Sequence, residues 1–151
     1  TQVGIRAIDI EEVPGLDPKR VFYGHDIVVS RAARSPETWI DRVIAQQSRN
    51  VYVTIDLDAF DPAYVAATGT PEPGGLDWYE VNLLLERLVK RRNVVGFDVV
   101  ELLPAPGQWA SEFLAAKLVY RFLSVIFEKR GDMPVDRRDG QRGNRRGKKP
   151  G

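Results

Sequence analysis

Cysteine is missing from this 151-residue sequence altogether, which excludes disulfide bonds, thiolate metal sites and a cysteine nucleophile. No apolar run approaches the length of a bilayer-spanning helix, and the N-terminus lacks the charged-then-apolar pattern of a signal peptide. A cytoplasmic location with no membrane partner is the expectation. Charge of one sign is missing too: 22 Lys and Arg face 21 Asp and Glu, a formal +1, so the chain as a whole has no field that would gather nucleic acid. What is present in quantity is apolar surface, at 43% of residues enough to build a core for one ordinary domain.

The balanced charge hides an asymmetry. From Arg130 onward the chain reads RGDMPVDRRDGQRGNRRGKKPG, rich in Arg, Lys and Gly and nearly free of apolar side chains. Such a segment buries too little surface to offset its ordering entropy. Residues 130–151 are therefore expected to form a disordered basic tail, a solvated terminus rather than a nucleic-acid contact, behind a folded unit over 1–129. The sequence opens on Thr1 and goes straight into the strand-like VGIRAIDI, the pattern of a fragment.

Strand and helix signals alternate. VGIRAID at 3–9 suits a buried strand, EEVPGLDPK carries turn residues, and RVFYG at 20–24 is a second short strand. SPETWIDRVIAQQS places Ser35 as N-cap and Pro36 at the first helical position, with Trp39, Ile40, Val43 and Ile44 on one stripe. In VYVTIDLD at 51–58, both alternating faces hold large or β-branched residues, as in a central strand covered on both sides. A long Gly- and Pro-rich loop leads to LDWYEVNLLLERLVKR, a helix capped by Asp77, then to the strand NVVGFDVVEL at 93–102. The last helix, about 108–129, spreads Trp109, Phe113, Ala116, Leu118, Tyr120, Phe122 and Val125 for packing against a sheet. This order predicts an α/β fold with a mainly parallel sheet.

In open α/β sheets ligands collect at the carboxyl ends of strands. Asp56 and Asp58 end the most strand-like segment, two apart and so on one face, and paired carboxylates in one mouth repel unless a cation stands between them. Hard oxygen donors of this kind favour manganese or magnesium. An Asp-x-Asp alone is weak evidence for a metal and is more often a capping and turn cluster. The loop AATGTPEPGG at 66–75 adds to the signal, because its prolines fix backbone angles and its glycines admit close approach; as a bland alternative it is a plain surface connection. GFDVVELLP then brings Asp98 and Glu101 to the end of a second strand over the same edge. No Gly-rich phosphate loop follows a strand, which argues against a magnesium-phosphate binding module.

TIDLDAFDP, ATGTPEPGG and GFDVVELLPAPGQ resemble, in order and spacing, the C-terminal signature blocks of the ureohydrolase (arginase/agmatinase) family, and VGIR and SEFLAAKLVYRFL are similar to agmatinase-type sequence. The likeness runs from the first residue to about Phe127. It implies the C-terminal half of a three-layer α/β/α arginase-type fold, in an enzyme of polyamine metabolism that hydrolyses a guanidino compound, agmatine above all, to urea and an amine. It also implies two Mn2+ ions with a bridging hydroxide, Asp56 and Asp58 as ligands with Asp56 bridging, and Glu101 pairing with the substrate guanidinium. Thr70 is implied to line the pocket, Asp61 and Asp98 to support loop and strand, and the complete enzyme to form homotrimers or hexamers.

Two departures stand out. Ala66 occupies a position where the family often has proline, and the family's two histidine-bearing N-terminal metal blocks are not in this sequence. The sole histidine, His25 in FYGHDI, is read as structural or surface. The fragment is accordingly expected to bind metal weakly, to be inactive alone, and to expose a sheet edge. The alternative is a truncated, inactive relic serving only as a structural or interaction module.

Overall fold

A computed structural model describes residues 1–32, 37–107 and 109–131. In chain order the elements are β1 (Gln2–Ile5), β2 (Val21–Tyr23), α1 (Gly24–Ala32), α2 (Glu37–Ala45), β3 (Asn50–Asp56), α3 (Trp78–Arg91), β4 (Asn93–Val100) and α4 (Trp109–Arg130). Both strand pairs are parallel, β1 with β2 and β3 with β4. The expected α/β fold with parallel strands is what forms. Ser35 and Pro36, the predicted cap of α2, and the tail beyond Gly131 lie outside the described residues.

The amphipathic stripes read from sequence become the core. Trp39, Ile40, Val43 and Ile44 of α2 join Val81, Leu85, Leu88 and Val89 of α3 against Val51 and Ile55 of β3 and Val94 of β4. Asp77 caps α3 as predicted: its carboxylate accepts the Glu80 N–H at 2.7 Å while Glu80 accepts the Asp77 N–H at 3.0 Å, closing a capping box.

Three expectations are corrected, and one helix forms for which there was no expectation. The first strand stops at Ile5 instead of reaching Asp9, because Gly4 turns to φ 85° and the Arg6 side chain then leaves the ladder for carbonyls elsewhere. Nothing in the sequence of α1 announces a helix; it opens on Gly24, and the run Ile27, Val28, Val29 favours a strand. Burial of Ile27 holds it in place. The strand β3 is covered on one face only among the described residues: Val51 and Ile55 are buried, but Tyr52 is 61% exposed and Thr54 is exposed. Finally, α4 buries Ser111, Ala115, Leu118, Phe122 and Ile126, with Phe122 edge-on to Phe97 of β4 at 4.7 Å, whereas Trp109, Phe113 and Tyr120 face outward. A single helix presents one stripe to one neighbour, and the second apolar stripe of α4 is left uncovered.

Between β1 and β3 no ladder forms. The two strands instead line a cavity of about 440 Å³, floored by Val81, Leu84, Leu85 and Leu88 of α3.

Candidate metal centre

The acidic site grows from the end of β3. The strand closes at Asp56, whose Oδ1 accepts the Asp58 N–H at 3.0 Å and so caps a single 3-10 turn over Leu57–Ala59. Asp58 therefore lies in the turn and not on the strand. The two carboxylates meet because the turn folds Asp58 back, a different cause from the alternation that the sequence suggested. Leu57 is fully buried and anchors the turn. The capping reading of Asp-x-Asp is realised by the Asp56 carboxylate.

Opposite stands Glu101. Asp56 is the register partner of Val100, so Glu101 is one step past the end of the neighbouring strand, on the same edge of the sheet. Among described non-glycine residues it alone has a positive φ, 61°. That left-handed backbone costs energy for a side chain with a Cβ, and such strain gathers where function demands a particular direction. The electrostatics tie the three acids together. Burial raises the Asp56 carboxyl above the usual aspartate range, the Asp58 N–H opposes the rise, and repulsion from Asp58 and Glu101 adds to it. A cation placed between them would relieve that repulsion.

The long loop is built in rather than draped over. Val65, Ala67, Thr68 and Leu76 are buried, and Phe60 and Leu76 form a parallel bridge through Asp61 N–H to Leu76 O at 3.0 Å and Leu76 N–H to Ala59 O at 2.9 Å. Asp61 sits at the loop's neck. Its carboxylate accepts the amides of Ala63 at 3.0 Å, Gly74 at 2.9 Å and Gly75 at 3.3 Å, which hold its pKa below the ordinary value. Thr70 is delivered to the site by this loop, and its hydroxyl donates to Asp58 Oδ2 at 3.0 Å. Asp98 is set back from the edge beside Thr54. Tyr52 donates its hydroxyl to Asp98 Oδ2 at 3.1 Å, and Asp98 Oδ1 is buried without a partner. His25 is exposed and among the described residues pairs with its neighbour Asp26, at 3.4 Å.

Arg6 escaped the reading of individual residues. Its guanidinium donates to the carbonyls of Gly4 at 2.9 Å, Ala59 at 3.3 Å and Glu72 at 3.0 and 3.2 Å, and also to Asp58 O. It thus ties β1, the acidic turn and the Gly-Pro loop together. The available signal was an arginine just past a strand, which by itself names no partner.

The donor set suits a hard divalent cation in kind, being carboxylate and hydroxyl oxygen. It falls short in number. Among the described residues no group of three or more His, Asp or Glu side chains is arranged to hold a metal ion. The residues present therefore fit part of a centre.

The acids stand at the carboxyl ends of parallel strands, the edge where open α/β sheets bind their ligands. The Arginase family matches residues 1–124, and the chain belongs to that family. It is 38% identical over 122 residues to an N(1)-aminopropylagmatine ureohydrolase of Synechocystis, covering 80% of this chain and 39% of that one. It is 49% identical over 75 residues to an agmatinase of Pyrococcus horikoshii, covering 50% and 26%. Among solved structures, the agmatine ureohydrolase of Thermoplasma volcanium superposes with a TM-score of 0.66 at 36% identity, over 84% of this chain and 41% of that one. The chain thus spans about two fifths of the length of the relatives that it matches most extensively.

Proposed function

We propose that these residues are the C-terminal part of a manganese-dependent ureohydrolase that cleaves the guanidino group of agmatine to urea and an amine. The convergence of Asp56, Asp58 and Glu101 on one carboxyl edge, in a chain of the Arginase family, carries the reading. Asp56 and Asp58 would hold manganese through carboxylate oxygens. When bound, the metal supplies a water acidified to near neutrality. Glu101, aimed by its left-handed backbone, accepts paired N–H groups from the planar guanidinium, a task that needs a carboxylate. Thr70 fixes one oxygen of Asp58 so that the other is aimed, and Asp61 and Arg6 hold the loop and turn on which both stand. Asp98 supports the strand through Tyr52. Homo-oligomeric assembly of the complete enzyme, as a trimer or hexamer, belongs to the same proposal.

N(1)-aminopropylagmatine is the second reading. Of four relatives of that name, three align over 80–82% of the chain and one over 50%, whereas the curated agmatinases compared align over 50–62%. Both substrates present the same guanidino end to Glu101. The test joins the part of the Synechocystis relative that lies outside the match ahead of Thr1 and measures urea release with Mn2+ and each substrate. Manganese-dependent urea is expected, falling at least a hundredfold in Glu101→Gln. A folded chimera that releases no urea from either substrate refutes the proposal. The 151-residue chain alone is expected to release none.

A further inference from the structure

Helix α4 carries two apolar stripes, and only one of them enters the core. Ser111, Ala115, Leu118, Phe122 and Ile126 are buried. On the opposite side Trp109, Phe113, Ala116, Tyr120, Leu123 and Phe127 follow one another at alternating steps of four and three residues. That is the 3.5-residue repeat of a seam between two paired helices, and it keeps all six within about 40° of one line along α4. The seam is open to solvent: Trp109 and Phe113 are 73% exposed, Tyr120 69%, Phe127 39% and Leu123 36%, and Ala116 is exposed between them. At 1.5 Å per residue it runs for about 27 Å.

A patch of this size is seldom left in water. With about 150–250 Å² per aromatic side chain, the exposed parts of its four rings amount to roughly 500 Å², near the upper end of what a monomer shows. Two such patches face to face remove roughly 1,000 Å² from solvent, the size at which a specific interface begins. The order of side chains along the seam is also its own complement. In antiparallel order, about a two-fold axis level with Leu118, Trp109 of one copy meets Phe127 of the other, Phe113 meets Leu123, and the small Ala116 receives the large Tyr120. Each of these pairs occurs twice by symmetry. In parallel order every residue meets itself, which crowds Tyr120 against Tyr120 and leaves a gap at Ala116.

We propose that the outward face of α4 is an interface between two copies of this chain, made by antiparallel pairing of the two helices along this seam. The seam lies opposite the stripe that α4 buries, so pairing needs no rearrangement of either copy. An interface at the lower limit of size is reversible, with a dissociation constant in the micromolar range. Charge enters at the rim. Lys117, whose ammonium stands 5.8 Å over the Tyr120 ring, is one residue from the axis, so antiparallel pairing brings two like charges near each other. Parallel pairing would instead set Glu112 of one copy beside Lys117 of the other. Salt therefore tightens the antiparallel dimer and would loosen the parallel one. The proposal concerns a face on the far side of α4 from the core and does not require the proposed activity.

Sedimentation equilibrium of the 151-residue chain, from submicromolar to submillimolar concentration, is expected to show a monomer–dimer equilibrium that tightens as salt rises. Ala116→Glu puts a carboxylate into the seam at an exposed helical position, where glutamate costs the helix little. It is expected to weaken the dimer at least tenfold and to leave the melting temperature at submicromolar concentration unchanged. Unfolding at that dilution reads the separate chain, in which Phe113 lies in solvent. Should the variant not fold, cross-linking decides. The chain has no cysteine, so a single introduced thiol reports its own position. Lys117→Cys, beside the axis, should join to its counterpart through a short bis-maleimide, whereas two Ser124→Cys thiols stand at least about 18 Å apart in the antiparallel pair and should not. A chain that stays monomeric, association that survives Ala116→Glu or loosens with salt, or cross-linking at Ser124→Cys equal to that at Lys117→Cys each overturns the proposal. The part of the Synechocystis relative outside the match is the competing occupant. If that part, added as a separate polypeptide, forms a one-to-one complex in which Trp109 is shielded from iodide quenching, the face belongs to it and the proposal falls.

Discussion

Replacing Gly75 by alanine puts a methyl carbon 2.4 Å from both the Asp61 nitrogen and the Phe60 carbonyl carbon, and 2.6 Å from the Phe60 oxygen. These are backbone atoms, so no side-chain rotation relieves the clash. The loop must separate from the turn, and in doing so it strains the bonds from Leu76 N–H to Ala59 O and from Asp61 N–H to Leu76 O, together with the grip of Asp61 on the Gly74 and Gly75 amides. Loss of two to four such bonds at roughly 1 kcal/mol each gives about 2–4 kcal/mol. For a chain of this size that lowers the melting temperature by roughly 5–15 °C. Thermal unfolding of the 151-residue chain followed by far-ultraviolet circular dichroism measures it. Gly69→Ala is the internal control, in the same loop, where a Cβ meets nothing within 4 Å. A Gly75→Ala variant that melts with Gly69→Ala refutes the claim that the loop is bolted to the turn.

Arg6→Ala is expected to cost about 1–3 kcal/mol and to speed hydrogen exchange in residues 57–61 and 70–75; Arg6→Lys should recover less than half, because an ammonium lacks the fork that reaches several carbonyls at once. Asp61 has a depressed pKa in the folded state, so its contribution to stability is present above the ordinary aspartate pKa of about 3.9 and is lost as pH falls through the lower folded value. The gap in melting temperature between the parent and Asp61→Asn should accordingly narrow below about pH 4, and a gap that widens there reverses the sign. On α4, Leu118→Ala should cost about 2–5 kcal/mol and Phe113→Ala less than about 0.5, a contrast read from urea midpoints; equal costs contradict the one-sided burial. Calorimetry with Mn2+ should show only weak binding to the isolated chain, and tight uptake of two ions contradicts the incomplete donor set.

The parts of the fold that follow local rules were legible in the sequence. Asp77 and Glu80 at the start of α3 and the apolar stripe of α2 are short-range patterns, and each formed as written. What escaped depends on atoms distant in sequence. Helix α1 exists against its β-branched run because Ile27 finds a core to enter. Arg6 could not be seen as a tie because the carbonyls of Asp58, Ala59 and Glu72 that it joins to β1 are more than fifty residues away. Coverage of β3 on both faces was inferred from residue types alone, but large residues on a face record the surroundings for which a strand is suited, and Tyr52 lies open among the described residues. At the site, Asp56, Asp58 and Glu101 were legible as acids at strand ends, and the roles expected of them came through motif likeness. The 3-10 turn that brings Asp58 to Asp56, and the unusual backbone of Glu101, are geometric facts with no sequence signature.

That backbone sets stability against chemistry at one position. Glycine in place of Glu101 adopts φ 61° without steric cost, and it would also discard a like charge from beside Asp56. A sequence selected for folding alone would abandon the glutamate. Its presence at the least comfortable residue on the acidic edge means that variants enriched purely for heat resistance should drift away from glutamate there, toward glycine or asparagine, and lose the acid proposed to receive the guanidinium.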